Sequence, residues 1–421
     1  MTIPEFRASE HLHGVKYEIR GELARRADAL ERDGYEIIKL NIGNPGAFGF
    51  RMPETMRVAM VQNLHQADPY SHQKGIFQAR EAVVMQQQTR GVLDVTADDV
   101  FIGNGVSELI MFTMRALLNP GDEVLVPSPD YPLWTASVVI HGATAVHYAC
   151  PPERGFVPDP EEVKKLVTPR TRAIVVINPN NPTGAVYPRD VLAGLARIAE
   201  DHQLLMCADE IYDEMLYDGA QYVPMATLAK RTLCATFSGL SKIYRACGLR
   251  VGWVSFSGEK SRATEYLRAL ELLASLRLCS NVPGQFAVQT ALGGTQSIYE
   301  LTKPGGRLYE TRRAILEACD KSKYMTVNAP RGAMYAFIRV DDKKIPGFDD
   351  QEFALRLLER ERVLIAPGSS FNVPYRNHFR ITLLPDARQM ADVFGRIERV
   401  LAEYAEEAPQ LRARQSLGGA A

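Results

Sequence analysis

The stretch SGLSKIYRACGLRVGW, from Ser238 to Trp253, sets one lysine, Lys242, among small residues and eight positions before Arg250. A lysine amine can form an imine with an aldehyde only after losing its proton, and desolvation or neighbouring cations promote that loss near neutral pH. Small neighbours leave room for a bulky aldehyde to approach. The stretch therefore predicts that Lys242 anchors a cofactor covalently, whereas a lysine considered alone more often lies on a solvated loop.

Strand-like and helical runs alternate on the amino-terminal side of this stretch. They are VFIG, helix 106–118, EVLVPS, helix 132–141, TAVHYAC, helix 159–167, AIVVIN, helix 188–202 and LLMCADE. Such alternation is typical of crossover units and a mainly parallel sheet, and the wholly apolar run AIVVIN suits a strand covered by helices on both faces. The sequence predicts an α/β fold with its ligand site at the carboxyl ends of the strands.

Length and composition predict two domains and argue against a nucleic-acid partner. The chain has 421 residues, of which 46% are hydrophobic and 24% charged, so it is too long for one core and too apolar for disorder. Long helical segments at 259–278 and 297–321 are expected to lead into the second domain. The formal net charge of −1 gives no electrostatic reason to bind nucleic acid or an anionic membrane.

The sequence also predicts the cellular location of the protein and the state of its cysteines. The amino terminus has no apolar core like that of a signal peptide, and no run approaches the ~18 apolar residues that span a bilayer. A cytoplasmic location is therefore expected. The six cysteines form no CxxC pair and several lie in apolar strings, which predicts reduced core residues and no metal site.

The segment GNGVSELI at 103–110 follows a predicted strand and opens a helix. Backbone N–H groups of Gly105, Val106 and Ser107 would point together beside the positive end of the helix, as a phosphate cradle does. The same segment matches half of a dinucleotide fingerprint, but Glu108 occupies the third glycine position. A dinucleotide-dependent oxidoreductase and a helix cap without any ligand are the alternatives.

Two further polar residues follow apolar strands. Asn181 precedes Pro182 in NPNNPTG, which holds it extended where a side-chain amide could reach a phenolate oxygen. Asp209 ends the run LLMCAD, and a buried carboxylate without a partner is costly. Asp209 is therefore expected to face a cation.

Five motifs in order resemble the fold type I aminotransferases that depend on pyridoxal phosphate (PLP). They are NIGNPG at 41–46, GNGVSELI at 103–110, NPNNPTG at 178–184, ADEIYDEM at 208–215 and the lysine stretch. The resemblance covers nearly the whole chain. It implies a large PLP-binding domain at 47–295 and a smaller α/β domain formed by 1–46 and 296–421.

The resemblance also implies roles around the cofactor ring. Lys242 would anchor PLP as an imine and carry the α-proton of the substrate. Asp209 would hold the pyridine nitrogen protonated, so that the ring can accept electrons. Asn181 and Tyr212 would bind the 3′-oxygen of the cofactor, and Tyr131 would lie over the ring.

Further roles concern the phosphate, the substrate and a second subunit. Arg250 would bind the phosphate, with Ser241 favoured over Ser238 as a hydroxyl donor. Arg380, in HFRITLLP, would bind the α-carboxylate of the substrate beside the backbone of Gly43. Tyr70 would reach the phosphate of a neighbouring subunit and take part in catalysis there, which implies a homodimer with composite sites.

Within this family, several runs are similar to bacterial alanine aminotransferases: YEIRG, LNIGNPGAFGF, SLRLCSNVPGQ, TALGG and PGGRLYE. The implied reaction moves an amino group between alanine or glutamate and pyruvate or 2-oxoglutarate. Tyr17 is expected to pack beside the substrate, and Arg20 to bind the distal carboxylate of glutamate, although Arg20 could equally be a surface residue of an amphipathic helix.

Two departures leave other substrates open. The loop PGSSFNVP and the strand AFIRVD lie where a substrate side chain would be recognised, and they could favour larger side chains. A broad-specificity, aromatic or aspartate aminotransferase, or a PLP lyase of the same fold, is the alternative. A transcription regulator with an aminotransferase-like half would need an added DNA-binding domain, for which no residues remain.

Overall fold

A computed structural model describes residues 6–12, 14–15 and 21–418, with side chains described as far as Glu407. The strands are β1 (Ile38–Lys39), β2 (Val100–Gly103), β3 (Glu123–Ser128), β4 (Thr144–Ala149), β5 (Thr171–Ile177), β6 (Leu205–Asp209), β7 (Leu233–Gly239), β8 (Gly252–Gly258), β9 (Met325–Val327), β10 (Tyr335–Val340), β11 (Val363–Leu364), β12 (Ala366–Pro367) and β13 (His378–Thr382). The α-helices are α1 (Glu22–Arg32), α2 (Glu54–Asn63), α3 (Phe77–Thr89), α4 (Val106–Leu117), α5 (Leu133–Ile140), α6 (Pro160–Lys164), α7 (Arg189–Asp201), α8 (Thr264–Leu276), α9 (Val282–Gly293), α10 (Ile298–Thr302), α11 (Arg307–Lys321), α12 (Asp350–Glu361) and α13 (Ala387–Gly418).

The larger sheet has seven strands in the order β2-β8-β7-β6-β5-β3-β4. Strands β4, β3, β5, β6 and β7 pair in parallel, and β8 runs antiparallel to both of its neighbours. The register sets Asp209 beside Ile177 of β5 and Phe237 of β7. The predicted, mainly parallel α/β sheet is confirmed, and its strands end together where Asp209 lies.

Helices cover both faces of this sheet, because its central strands are apolar on both sides. In β5, Val175 and Ile177 belong to the core shared with α4, α5 and α8, while Ile174 and Val176 belong to the core shared with α7. These four side chains are almost fully buried, and each such burial stabilises the fold by about 1.5–3 kcal/mol. The sheet is therefore a rigid base for the residues at its edge.

The prediction of one long helix at 297–321 is wrong, because the segment forms two helices, α10 and α11. The sequence KPGG, at 303–306, separates the two helices. Proline cannot continue a helix without losing a backbone hydrogen bond, and Gly305 adopts a φ of 83°, which favours glycine.

A second, antiparallel sheet has four strands in the order β12-β13-β10-β9. In it, Arg380 of β13 lies opposite Phe337 of β10. A short parallel pair, β1 with β11, joins Ile38 to Val363. The division into domains at 47–295 and at 1–46 with 296–421 stays a prediction, although the two main sheets fall on different sides of residue 295.

Among the residues described, none of the helices combines the length and the apolar character needed to cross a bilayer.

Candidate active site

A cavity of about 700 Å³ lies at the carboxyl ends of β5, β6 and β7. Most of the residues singled out from the sequence line it: Gly43, Val106, Ser107, Tyr131, Asn181, Asp209, Tyr212, Ser241, Lys242, Arg250 and Arg380. Other lining residues include Lys39, Asn41, Cys247 and Tyr335. The structure thus brings into one cavity residues that lie more than three hundred positions apart in the sequence.

Lys242 follows β7 and points into this cavity. Its Nζ donates a hydrogen bond to the backbone carbonyl of Gly43 at 2.7 Å. Lys39, which also lines the cavity, forms an ion pair with Glu31 at 2.7 Å. Lys242 is therefore the better placed of the two amines to react with an aldehyde.

Asp209 is buried at the end of β6, where the indole N–H of Trp134 donates to its Oδ2 at 2.9 Å. The other oxygen, Oδ1, makes no hydrogen bond of ordinary geometry with the described residues. Burial raises the pKa of Asp209 to about 6, although Trp134, the Ile211 amide and Lys242 act in the opposite direction. A buried carboxylate oxygen without a bonded donor fits the protonated ring nitrogen of PLP.

The start of α4 lies directly beside Arg250 in the cavity wall. A Cβ at Gly105, whose φ is 83°, would collide with the guanidinium of Arg250, which donates to the carbonyls of Cys247 at 2.9 Å and Asn104 at 3.3 Å. The unpaired N–H groups that begin a helix suit a phosphate, and Val106 and Ser107 line the cavity. These residues fit the phosphate of PLP.

Gly105 departs from the predicted cradle, because its N–H donates to the carbonyl of Gly103 at 2.8 Å. Its contribution is the space it leaves for Arg250. Glu108, at the third glycine position of the fingerprint, accepts hydrogen bonds from the backbone N–H of Asn104 at 2.7 Å and from its side chain at 3.0 Å. Glu108 thus closes the turn where a dinucleotide fingerprint would need a glycine.

The two serines near Lys242 occupy different places in the fold. Ser241 lines the cavity, whereas Ser238 is buried within β7.

Of the six unpaired cysteines, Cys247 lines the cavity and Cys279 is partly exposed, so the prediction that the cysteines are core residues is wrong for these two. The other four are buried.

Arg380 is buried with its guanidinium in the cavity wall. Nη1 donates to Oδ1 of Asn181 at 2.9 Å, and Nη2 donates to the carbonyl of Asn41. The rings of Tyr335 and Phe371 lie 4.3 and 4.7 Å from the guanidinium carbon. A guanidinium held in one plane by these contacts suits a carboxylate.

Tyr212 and Tyr335 form a buried pair, of which sequence analysis predicted Tyr212 and missed Tyr335. Their hydroxyl groups are 3.0 Å apart, and their rings pack edge to face at 5.7 Å. Burial, with Tyr335 as neighbour, raises the pKa of Tyr212 well above its usual value, so its hydroxyl stays protonated and can donate.

Two of the predicted residues that the structure describes, Gly105 and Tyr70, do not line the cavity. Tyr70 is 76% exposed. Tyr17 and Arg20 lie outside the described residues.

Asp130, next to Tyr131, is a buried acid that sequence analysis missed. Its carboxylate accepts hydrogen bonds from Thr135 at 2.6 Å and from Asn372 at 2.9 Å. Burial raises its pKa to about 7, against the effect of these two bonds. Asn372 belongs to PGSSFNVP, so this carboxylate joins the loop after β3 to the loop after β12.

We expect Asp130→Asn to weaken the loss of stability that occurs as the pH rises from acid toward about 7. A folded pKa raised from 3.8 to about 7 means that stability falls as pH rises through that window, because the unfolded chain ionises first. Between pH 6 and pH 8 this one group costs about 1 kcal/mol. Unfolding midpoints of both proteins at these two pH values measure the difference, and parallel pH profiles would contradict the assignment.

Known proteins resemble this chain in sequence and in structure. The family model for aminotransferase class I and II matches residues 35–397. The chain belongs to this family and is a PLP-dependent aminotransferase. The hypothesis of a dinucleotide-dependent oxidoreductase is therefore wrong.

Two curated relatives are similar over almost their whole length. The glutamate-pyruvate aminotransferase AlaA of Escherichia coli K12 is 48% identical over 396 residues, covering 94% of this chain and 98% of that protein. The alanine aminotransferase of Mycobacterium bovis is 46% identical over 400 residues, covering 95% and 93%.

Solved structures agree with this placement. An aminotransferase from Escherichia coli superposes with a TM-score of 0.94 at 47% identity, covering 96% of this chain and all of that one. The alanine aminotransferase of Pyrococcus furiosus gives a TM-score of 0.89 at 36% identity, covering 94% of this chain and all of that one.

Proposed function

We propose that this enzyme moves an amino group between alanine or glutamate and pyruvate or 2-oxoglutarate. One observation carries the proposal: Lys242, the buried carboxylate of Asp209 and the Asn181-bound guanidinium of Arg380 line the same cavity. The choice of alanine and glutamate is supported by relatives named for these substrates at 46–48% identity.

The proposed roles follow from the contacts in the cavity. Val106, Ser107, Ser241 and Arg250 bind the cofactor phosphate, and Asp209 holds the ring nitrogen protonated. When bound, PLP supplies an aldehyde that combines with amines and a ring that withdraws electrons from the substrate α-carbon.

The other roles concern the ring oxygen, the carboxylate and the proton. Tyr212 and the side-chain amide of Asn181 donate to the ring oxygen, while Tyr131 packs against the ring. Arg380, with the backbone of Gly43, holds the α-carboxylate and so orients the amino acid. Nζ of Lys242 takes the proton from the α-carbon and later gives it up.

The test is a panel of half-reactions, each monitored through the visible absorbance of the cofactor. The holoprotein is mixed with alanine, glutamate, aspartate or phenylalanine, and the amino form is then mixed with the matching oxo acids. We expect alanine, glutamate, pyruvate and 2-oxoglutarate to react fastest. Faster reaction with aspartate or phenylalanine, or release of a product without amino transfer, would instead support the broad-specificity or lyase alternative.

We also propose a homodimer in which Tyr70 completes the phosphate site of the neighbouring subunit. The proposal is supported by the exposure of Tyr70, 76%, which leaves its hydroxyl accessible to another molecule. A cytoplasmic location belongs to the same proposal, supported by six unpaired thiols.

Arg20 is the proposed ligand of the distal carboxylate of glutamate, and Tyr17 its neighbour at the substrate; both proposals rest on sequence alone. Charged hydrogen bonds contribute about 1.5–3 kcal/mol, so Arg20→Ala should weaken glutamate roughly ten- to a hundredfold. Alanine has no distal carboxylate and should bind almost as before. Half-reaction affinities for the two amino acids decide: equal losses would indicate a structural role, and no loss would exclude Arg20 as the ligand.

A further inference from the structure

Tyr335 is a buried residue of the cavity to which none of the roles above is assigned. It begins β10, and its neighbour across the sheet is Thr382 of β13. Arg380 lies two residues along the same strand, so the two side chains are diagonal neighbours on one face of the sheet. The strand pairing therefore sets the ring of Tyr335 beside the guanidinium.

The hydroxyl and the ring of Tyr335 contact different parts of the site. The hydroxyl lies 3.0 Å from that of Tyr212, which follows β6 of the other sheet. The ring lies 4.3 Å from the guanidinium carbon of Arg380. A Cβ at position 43 would collide with this hydroxyl. The hydroxyl therefore occupies the space that the absence of a side chain at Gly43 leaves free.

We propose that Tyr335 is a positioning residue that couples the cofactor side of the site to the carboxylate side. Its hydroxyl holds that of Tyr212 in the direction of the cofactor ring oxygen, and its ring holds the guanidinium of Arg380 in the plane that receives the substrate carboxylate. This inference rests on the proposed function, since it takes Tyr212 and Arg380 in the roles given there.

Two variants separate the hydroxyl from the ring. Tyr335→Phe removes only the hydroxyl, and Tyr335→Leu removes the ring as well. The first measurement is the pH midpoint of the visible absorbance of the holoprotein. A donor at the ring oxygen stabilises the deprotonated chromophore, so a less well held Tyr212 should raise the midpoint by about 0.4–1 pH unit in both variants.

The second measurement is the dissociation constant of 2-methylalanine, which has the carboxylate and amine of alanine but no α-proton. Tyr335→Phe keeps the cation–π contact and should change this constant less than about twofold, whereas Tyr335→Leu should raise it about two- to thirtyfold.

Tyr217→Phe is the matched control. Tyr217 is also buried, its hydroxyl donates to the carbonyl of Ala333 at 2.9 Å, and it does not line the cavity. Its loss should leave both measurements unchanged. An unchanged midpoint in Tyr335→Phe, or an equal shift in Tyr217→Phe, would overturn the role of the hydroxyl.

The variants also keep this inference separate from the choice of substrate. An unchanged dissociation constant in Tyr335→Leu would overturn the role of the ring. Neither measurement needs turnover of alanine, so the panel of half-reactions can fail while the coupling holds. Tyr335→Phe changes a single buried atom and decides the role of the hydroxyl even if the leucine variant does not fold.

Discussion

Replacing Lys242 with alanine is expected to abolish transamination and to leave a folded protein. The change removes both the proposed anchor of the cofactor and the group that moves the α-proton. General acid–base catalysis alone is typically worth ~10²–10⁴-fold, so the loss should exceed that of any binding residue. Among the described residues, the Nζ of Lys242 donates to a carbonyl of the cavity wall, and the substitution does not open the main core. Initial rates with alanine and 2-oxoglutarate, and a thermal unfolding curve, measure both parts.

Lys39→Ala provides the matched control, because Lys39 lines the same cavity but is paired with Glu31. It should keep most of the activity. If Lys39→Ala lost activity while Lys242→Ala kept it, the assignment of the anchor would be reversed.

The second large effect is expected for Asp209→Asn. An amide can still accept the hydrogen bond from Trp134, which is 2.9 Å long in the native protein, so the strand end should keep its structure. A neutral amide cannot hold a ring nitrogen protonated, and the ring then withdraws electrons less well. Removing one preorganised electrostatic contact commonly costs on the order of 10²–10³-fold in rate. We expect a loss of at least this size together with retained cofactor absorbance.

The control for Asp209 is Glu210→Gln, the next residue along the chain. Glu210 is also buried and accepts hydrogen bonds from Tyr222 and from the backbone N–H of Met225, but it does not line the cavity. Its replacement should alter stability more than rate. Near wild-type turnover in Asp209→Asn would reduce Asp209 to a structural residue.

Residues that follow a strand were the ones that sequence analysis could find. Asp209 and Asn181 each come just after an apolar run, and parallel strands end at the same edge of a sheet, so their meeting in one cavity follows from the pattern. Lys242 and Arg250 were found because the family motif spans both. The order of strands and the cavity itself needed the structure.

Residues whose partners are remote in the sequence were missed. Trp134 is 75 positions from Asp209, and Tyr335 is 123 positions from Tyr212. An aromatic in an apolar run is usually a core residue, so the residue type alone does not mark either of these two as part of a site. The position of Trp134, three residues after Tyr131, is the one signal that could have suggested a shared site.

The predicted phosphate cradle shows a different limit of prediction from sequence motifs. The motif correctly placed the start of α4 at the cavity, yet the N–H of Gly105 bonds to Gly103 inside the loop. A motif predicts which backbone lies near a ligand, whereas the hydrogen bonds of a tight turn depend on φ and ψ at each residue.

The most direct test of the central claim is to find which lysine carries the cofactor. The holoprotein is reduced with borohydride, digested, and its peptides are mapped by mass. We expect the reduced cofactor to be attached to Lys242, within SGLSKIYRACGLRVGW. A label on Lys39 or on any other lysine would contradict it.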